Sequence, residues 1–175
     1  MKRHLVILLA VVFLLVCSIG VAQGKETGLG IKIGYFDTAE DWGEVEPGIA
    51  LGLEGTVKAD EKSKIVVGVH YANAMEEEIP GAGVEVTWLN VLGTYLLKAP
   101  RKEGAETGLS YGAGVGWYQI KSEVAGVSAT EDTLGFHVVV VYDITKHFKA
   151  EAKYGFAEKD NVKFDGLLVS VGYKF

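Results

Sequence analysis

The sequence predicts an all-β fold, an eight-stranded antiparallel up-and-down barrel behind a cleaved leader, on three observations. After Lys25 the apolar residues recur at every second position, and period two is the mark of a strand with one apolar face. Eight such stretches can be marked, at about 27–36, 48–58, 64–73, 83–97, 107–120, 133–143, 147–157 and 164–175, an even number. All three prolines, Pro47, Pro80 and Pro100, fall between the stretches, where a missing backbone donor does no harm.

The leader comes first. Met1-Lys2-Arg3 is followed by an apolar run from Leu5 to Val16 and small residues at Ala22 and Gly24, the layout of a secretory signal peptide. Residues 1–24 are therefore expected to be removed, leaving 25–175 as one domain. The apolar run falls short of the ~20 residues a helix needs to cross a bilayer. Cys17 raises a lipoprotein signal as an alternative, but Val16 departs from the Gly, Ala or Ser that such signals carry before the cysteine. Loss of Lys2 and Arg3 takes the formal charge from −6 to −8. An acidic exported domain is a poor candidate for nucleic acid. With Cys17 gone no disulfide can staple the fold, which must hold by burial and hydrogen bonding.

Taken in order, the strands each show an apolar row. The first offers Leu29, Ile31, Ile33 and Tyr35; the second Ile49, Leu51, Leu53 and Val57; the third Ile65, Val67, Val69 and Tyr71. The fourth offers Val84, Val86, Trp88 and Leu92, and the fifth Leu109, Tyr111, Val115 and Trp117. Leu134, Phe136, Val138, Val140 and Tyr142 mark the sixth, and Phe148, Ala150, Ala152, Tyr154 and Phe156 the seventh. The eighth closes on Leu167, Val169, Val171, Tyr173 and Phe175.

The opposite rows decide what surrounds the barrel. They combine glycine with charge: Gly30, Lys32 and Gly34; Gly52 and Glu54; Gly68 and His70; Gly83 and Glu85; Gly112, Gly114 and Gly116; Lys149, Glu151 and Lys153. A small closed barrel has little room inside, which suits small side chains and a few paired charges. Turned the other way, rows of strand glycine would face water with nothing gained from packing. Bulk outside and small residues inside make lipid the external solvent, so the barrel is read as transmembrane. Aromatics such as Tyr35, Tyr71, Trp88, Tyr111, Trp117 and Tyr142 fall mostly near strand ends, as interfacial girdles do. In hydrocarbon an unpaired edge leaves backbone groups unsatisfied, so the first and last strands must pair.

Loop lengths alternate. The joins after strands one, two, three and six read as about ten, five, nine and three residues, as outer loops and periplasmic turns alternate in outer-membrane barrels. The long set is acidic, with Asp37, Glu40, Asp41, Glu44 and Glu46, then Glu76, Glu77 and Glu78, then Glu131 and Asp132. The short set carries Lys62, Lys64, Arg101, Lys102 and Lys146.

On these residues the chain resembles the small eight-stranded outer-membrane barrels, a group that includes the membrane domain of outer membrane protein A, outer membrane protein X and the opacity proteins. The resemblance spans the mature chain and is most specific at the tail, where Phe175, Tyr173, Val171, Val169 and Leu167 match the family's assembly signal of a terminal aromatic with alternating apolar residues. It implies outer-membrane lipid as surroundings, the barrel-assembly machinery as a partner, and a monomer. No peptidoglycan-binding domain follows Phe175, unlike outer membrane protein A, so cell-wall tethering is not expected.

Some small barrels modify lipids, which makes a catalytic set worth seeking. Pairing strands five and six across a loop near residue 126 would set Gly116 opposite His137 and Ser110 opposite Asp143. Ser110 and His137 would then lie about six residues, or ~20 Å, apart, too far for a nucleophile and its base. A denser group is Glu54, His70 and Glu85, since the turns would set Gly52 against His70 and His70 against Glu85. Two carboxylates and an imidazole could hold a metal or act as acid and base. The reading adopted is a structural lumen network, with Lys32 or Lys153 as counter-ions. No metal, cofactor or catalytic residue is assigned. Cation bridging by the acidic loops is weighed against plain solvation, which is preferred.

The expected protein is therefore an outer-membrane barrel with a structural or surface-interaction role, not an enzyme. The alternatives are a lipid-modifying outer-membrane enzyme, a narrow ion channel, and a soluble periplasmic lipocalin-like carrier.

Overall fold

A computed structural model describes residues 27–38, 47–76, 84–100, 107–124, 127–159, 162–163 and 165–175. The expected leader, and most of the acidic residues of the first two long joins, lie outside the described residues. The described strands are β1 (Thr27–Thr38), β2 (Gly48–Lys58), β3 (Ser63–Glu76), β4 (Val84–Lys98), β5 (Gly108–Val124), β6 (Val127–Asp143), β7 (Phe148–Lys159), β8 (Val162–Lys163) and β9 (Gly166–Lys174). Each of β1 to β6 pairs antiparallel with the next, β6 pairs with β7, β7 with β9, and β9 with β1. The ring of eight strands is closed. β8 stands outside it, a two-residue ladder against the end of β7.

Closure follows from the last strand. β9 lies between β1 and β7, and the Phe175 amide donates to the Leu29 carbonyl at 2.9 Å, so neither edge is left open. The alternating rows then fall on two solvents. Ile33, Leu53 and Leu134 are 60%, 58% and 78% exposed on the outside, whereas Lys32, Glu54 and Glu151 are 6%, 1% and 5% exposed within. Water outside would reward the reverse arrangement, because apolar area gains about 25 cal/mol per Å² by leaving water. The barrel is a membrane barrel, and the water-soluble carrier, which needs its apolar rows inside, is excluded.

The lumen holds two apolar clusters as well as charge. Phe36, Trp88, Leu92, Tyr118, Ile120 and Leu168 pack together toward the end with the joins after β1 and β3, Phe36 and Trp88 with ring centroids 5.1 Å apart. Val66, Leu96, Val139 and Val141 pack toward the end with the short turns. Glycine makes the close packing possible. A Cβ on Gly34 would lie 2.6 Å from the Cβ of Ser170, and one on Gly52 would lie 2.5 Å from the His70 ring.

Three expectations need correction. The row Val86, Trp88 and Leu92 was expected on the lipid side of β4 but is buried in the lumen, with Leu89, Val91, Tyr95 and Leu97 on the other face. Both rows of β4 are apolar, so periodicity cannot orient it, and Trp88 goes where a large ring fills space. Trp88 is thus no girdle residue. The β5–β6 register is shifted by two, with Gly114 opposite His137, Gly116 opposite Gly135 and Ser110 opposite Val141. The same ladder runs on to Val124–Val127, so the join expected over 121–132 shrinks to residues 125–126, and Glu131 and Asp132 belong to β6. Ser122, Val124, Val127 and Thr130 can extend strands because β-branched and small polar residues fit a pleated surface.

Candidate functional site

Among the described residues, the densest chemistry lies in the lumen where β1 and β2 and, on the far side of β9, β7 turn charged side chains inward. On a strand, residues two apart share a face, so Lys149, Glu151 and Lys153 of β7 all enter the lumen. Lys32 of β1 and Glu54 of β2 meet them there. Lys32 Nζ lies 2.7 Å from Glu54 Oε2 and donates to Glu151 Oε2 at 2.6 Å. Lys149 Nζ donates to Glu54 Oε1, and Lys153 Nζ lies 3.0 Å from Glu151 Oε1. The register puts Gly52 and Gly172 on either side of Lys32, and these glycines leave space for the long side chains.

Three ammonium groups thus share two carboxylates. Buried ions lose several kcal/mol of hydration each, and only well-placed partners repay it. The cluster fastens three strands across the lumen.

The expected lumen group of Glu54, His70 and Glu85 is only partly brought together. Glu54 sits in the ionic cluster. His70 is buried beside Gly52 and Gly68, with no hydrogen-bond partner for either ring nitrogen among the described residues. Its opposite residue on β4 is Asn90, not Glu85; Glu85 falls opposite Met75, and its side chain lies outside the described residues. The shift arises because β3 runs on to Glu76, past its expected end at 73, while β4 begins at Val84, so the turn is centred later in the chain than expected. Among the described residues no three His, Cys, Asp or Glu side chains are placed to share a metal ion. The members not singled out by sequence, Lys149 and Glu151, could have been found from the i, i+2 spacing of charge on the inward row of β7.

A cavity of about 20 Å³ beside His70 is lined by Asn90, Tyr118 and Lys153. That is room for about one water molecule. His137 shares a 2.8 Å hydrogen bond with Thr94 Oγ1. Ser110 is four residues along β5 from Gly114, the residue facing His137, which is about 13 Å at the strand rise. The corrected register brings Ser110 nearer than expected and still leaves it out of reach.

The tail residues share one outward row. Leu167, Val169 and Val171 are exposed, and Phe175 more so. The Tyr173 ring stands edge-on to Phe148 at 5.1 Å and to Phe175 at 5.3 Å.

Comparison with known proteins bears on this arrangement. A model of the outer membrane protein beta-barrel domain matches residues 9–175. Among solved structures, Ail, the attachment invasion locus protein of Yersinia pestis, is similar with a TM-score of 0.58 at 15% identity, covering 86% of this chain and 99% of that one. Neisserial surface protein A gives 0.58 at 13% identity, covering 85% and 95%. OprG from Pseudomonas aeruginosa gives 0.55 at 13% identity, covering 85% and 96%. At these identities the likeness is one of fold. No curated protein matches the sequence.

Proposed function

Because the chain belongs to the outer membrane protein beta-barrel domain family, we propose that it is an integral protein of a bacterial outer membrane with a structural or surface-interaction role and no catalytic one. The lumen carries this reading. Among the described residues, apolar clusters at both levels and the ionic cluster between them occupy it with packed side chains. What such a barrel offers is its outer wall to lipid and its loop-rich end to the surroundings. In this reading outer-membrane lipid is the solvent of the wall, and residues 1–24 are removed on export. The barrel-assembly machinery reads Leu167, Val169, Val171, Tyr173 and Phe175. The chain stays a monomer, since a closed ring has no edge to share.

A lipid-modifying enzyme is the competing reading, and the separation of Ser110 from His137 counts against it. The test is expression in an outer-membrane-bearing host. The protein should fractionate with outer membranes and migrate differently on gels before and after boiling, while the lipid A mass spectrum stays unchanged. A new lipid A species dependent on the protein would replace this reading with the enzymatic one.

A further inference from the structure

We propose that the barrel mouth at the end where β1 begins and β9 finishes is a binding site for phosphate-bearing anions. Lys58, Lys64, Lys98, Lys146 and Lys174 line a single pocket of about 430 Å³ there, and Asp143 is the one acidic side chain among its lining residues. That carboxylate is already engaged, 2.9 Å from Lys174 Nζ. Lys98 donates to the Glu61 backbone carbonyl at 3.1 Å, a neutral acceptor. Lys64 and Lys146 close no ion pair among the described residues. Leaving out Lys58, which has a partner of its own, and allowing a carboxylate on Phe175, the lining keeps a formal net charge of about +2, from four lysines against two carboxylates.

The pocket is a cup, not a passage. Val66, Leu96, Val139 and Val141 pack across the lumen on its inner side, so an anion drawn into the mouth stops there. The lysines come from β2, β3, β4, β9 and the turn between β6 and β7, so they surround the opening. Flexible ammonium groups placed around a centre suit a phosphate, whose oxygens can accept from several donors at once. In a barrel of this kind the short turns face the periplasm, where phosphate is presented either by lipid headgroups of the inner leaflet or by free phosphate compounds.

The test uses the whole folded protein in a neutral maltoside detergent. Inorganic pyrophosphate is titrated by calorimetry, and co-purified phosphatidylglycerol is counted by native mass spectrometry. The variants are Lys64→Gln with Lys146→Gln, Lys146→Gln alone in its exposed turn, and, at the opposite end, Lys121→Gln with Lys159→Gln. Saturable pyrophosphate binding that weakens roughly tenfold in the mouth pair, less in the single variant and not in the distant pair, supports the site with free phosphate as its source. Phosphatidylglycerol retention that falls in the mouth variants, without saturable pyrophosphate binding, supports it with the headgroup as source. Absence of both signals, or equal losses in the distant pair, overturns it. The single variant keeps the test informative if the double variant does not fold.

Discussion

Glu54 is the carboxylate that Lys32 and Lys149 share. Replacing it by Gln leaves two buried ammonium groups short of a partner, and removing one member of a buried pair costs about 3–5 kcal/mol. Glu54→Gln should therefore lower the unfolding free energy of the micelle-bound protein, read from urea titration, by about that amount, and adding Lys149→Met should recover most of the loss. Equal stability of Glu54→Gln and the parent would mean the cluster is not compensated as described. Asp60, in the exposed turn between β2 and β3, shows the same chemistry in water. The Ser63 hydroxyl donates to its carboxylate at 2.6 Å and the Lys62 amide at 2.7 Å, which together hold its pKa below the usual carboxylate value. A group depressed in this way stabilises the fold above its unfolded pKa, and that contribution fades as pH falls through the folded value. Carbon NMR titration should find Asp60 below the ordinary value, and Ser63→Ala should move it back up.

At the scale of one element, β1 shows how a strand divides two solvents. Ile33 stands at mid-strand on the outward row, flanked by Leu51 and Val171 from the neighbouring strands. Arginine in that position would face hydrocarbon and cost about 2–4 kcal/mol, falling to about 0–1 kcal/mol near an interface. Ile33→Arg should thus destabilise the folded barrel strongly while Leu29→Arg, near the strand start, is tolerated; denaturant unfolding in lipid vesicles would show it. Similar losses at both positions would argue against a depth-dependent lipid face. β4 behaves differently, for its two rows are both apolar. Its inward row supplies Trp88 and Leu92 to the plug, and its outward row supplies Leu89, Val91 and Tyr95 to the wall.

For the whole molecule, closure and filling act together. The ring satisfies every strand's hydrogen bonding through a neighbour, as a bilayer demands. The Phe36, Trp88 and Tyr118 cluster and the ionic cluster pack within the lumen. In planar bilayers the purified protein should give no stepwise conductance, and reproducible single-channel steps would refute a sealed interior. The charge of the described pocket residues is basic at the short-turn end, while Glu123, Glu131 and Asp132 lie along the β5–β6 extension at the other.

Sequence alone determined the strand number, the closing role of the tail and the outward rows of every ring strand but β4, because alternation of Ile31 with Lys32, or of Phe136 with His137, is set by a two-residue repeat that needs no partner to be read. It also put Glu54 and His70 inside. Tertiary structure decided which lumen groups meet. Registers depend on turn geometry and ladder length, so a β3–β4 hairpin extended further than expected sets Asn90 rather than Glu85 against His70, and a two-residue slip between β5 and β6 changes the partner of His137. Contacts across the lumen, such as Lys32 with Glu151, join residues 119 apart in sequence. Local pattern carries no information about such pairs, because the curvature and shear of the closed sheet, not the spacing along any one strand, bring them together.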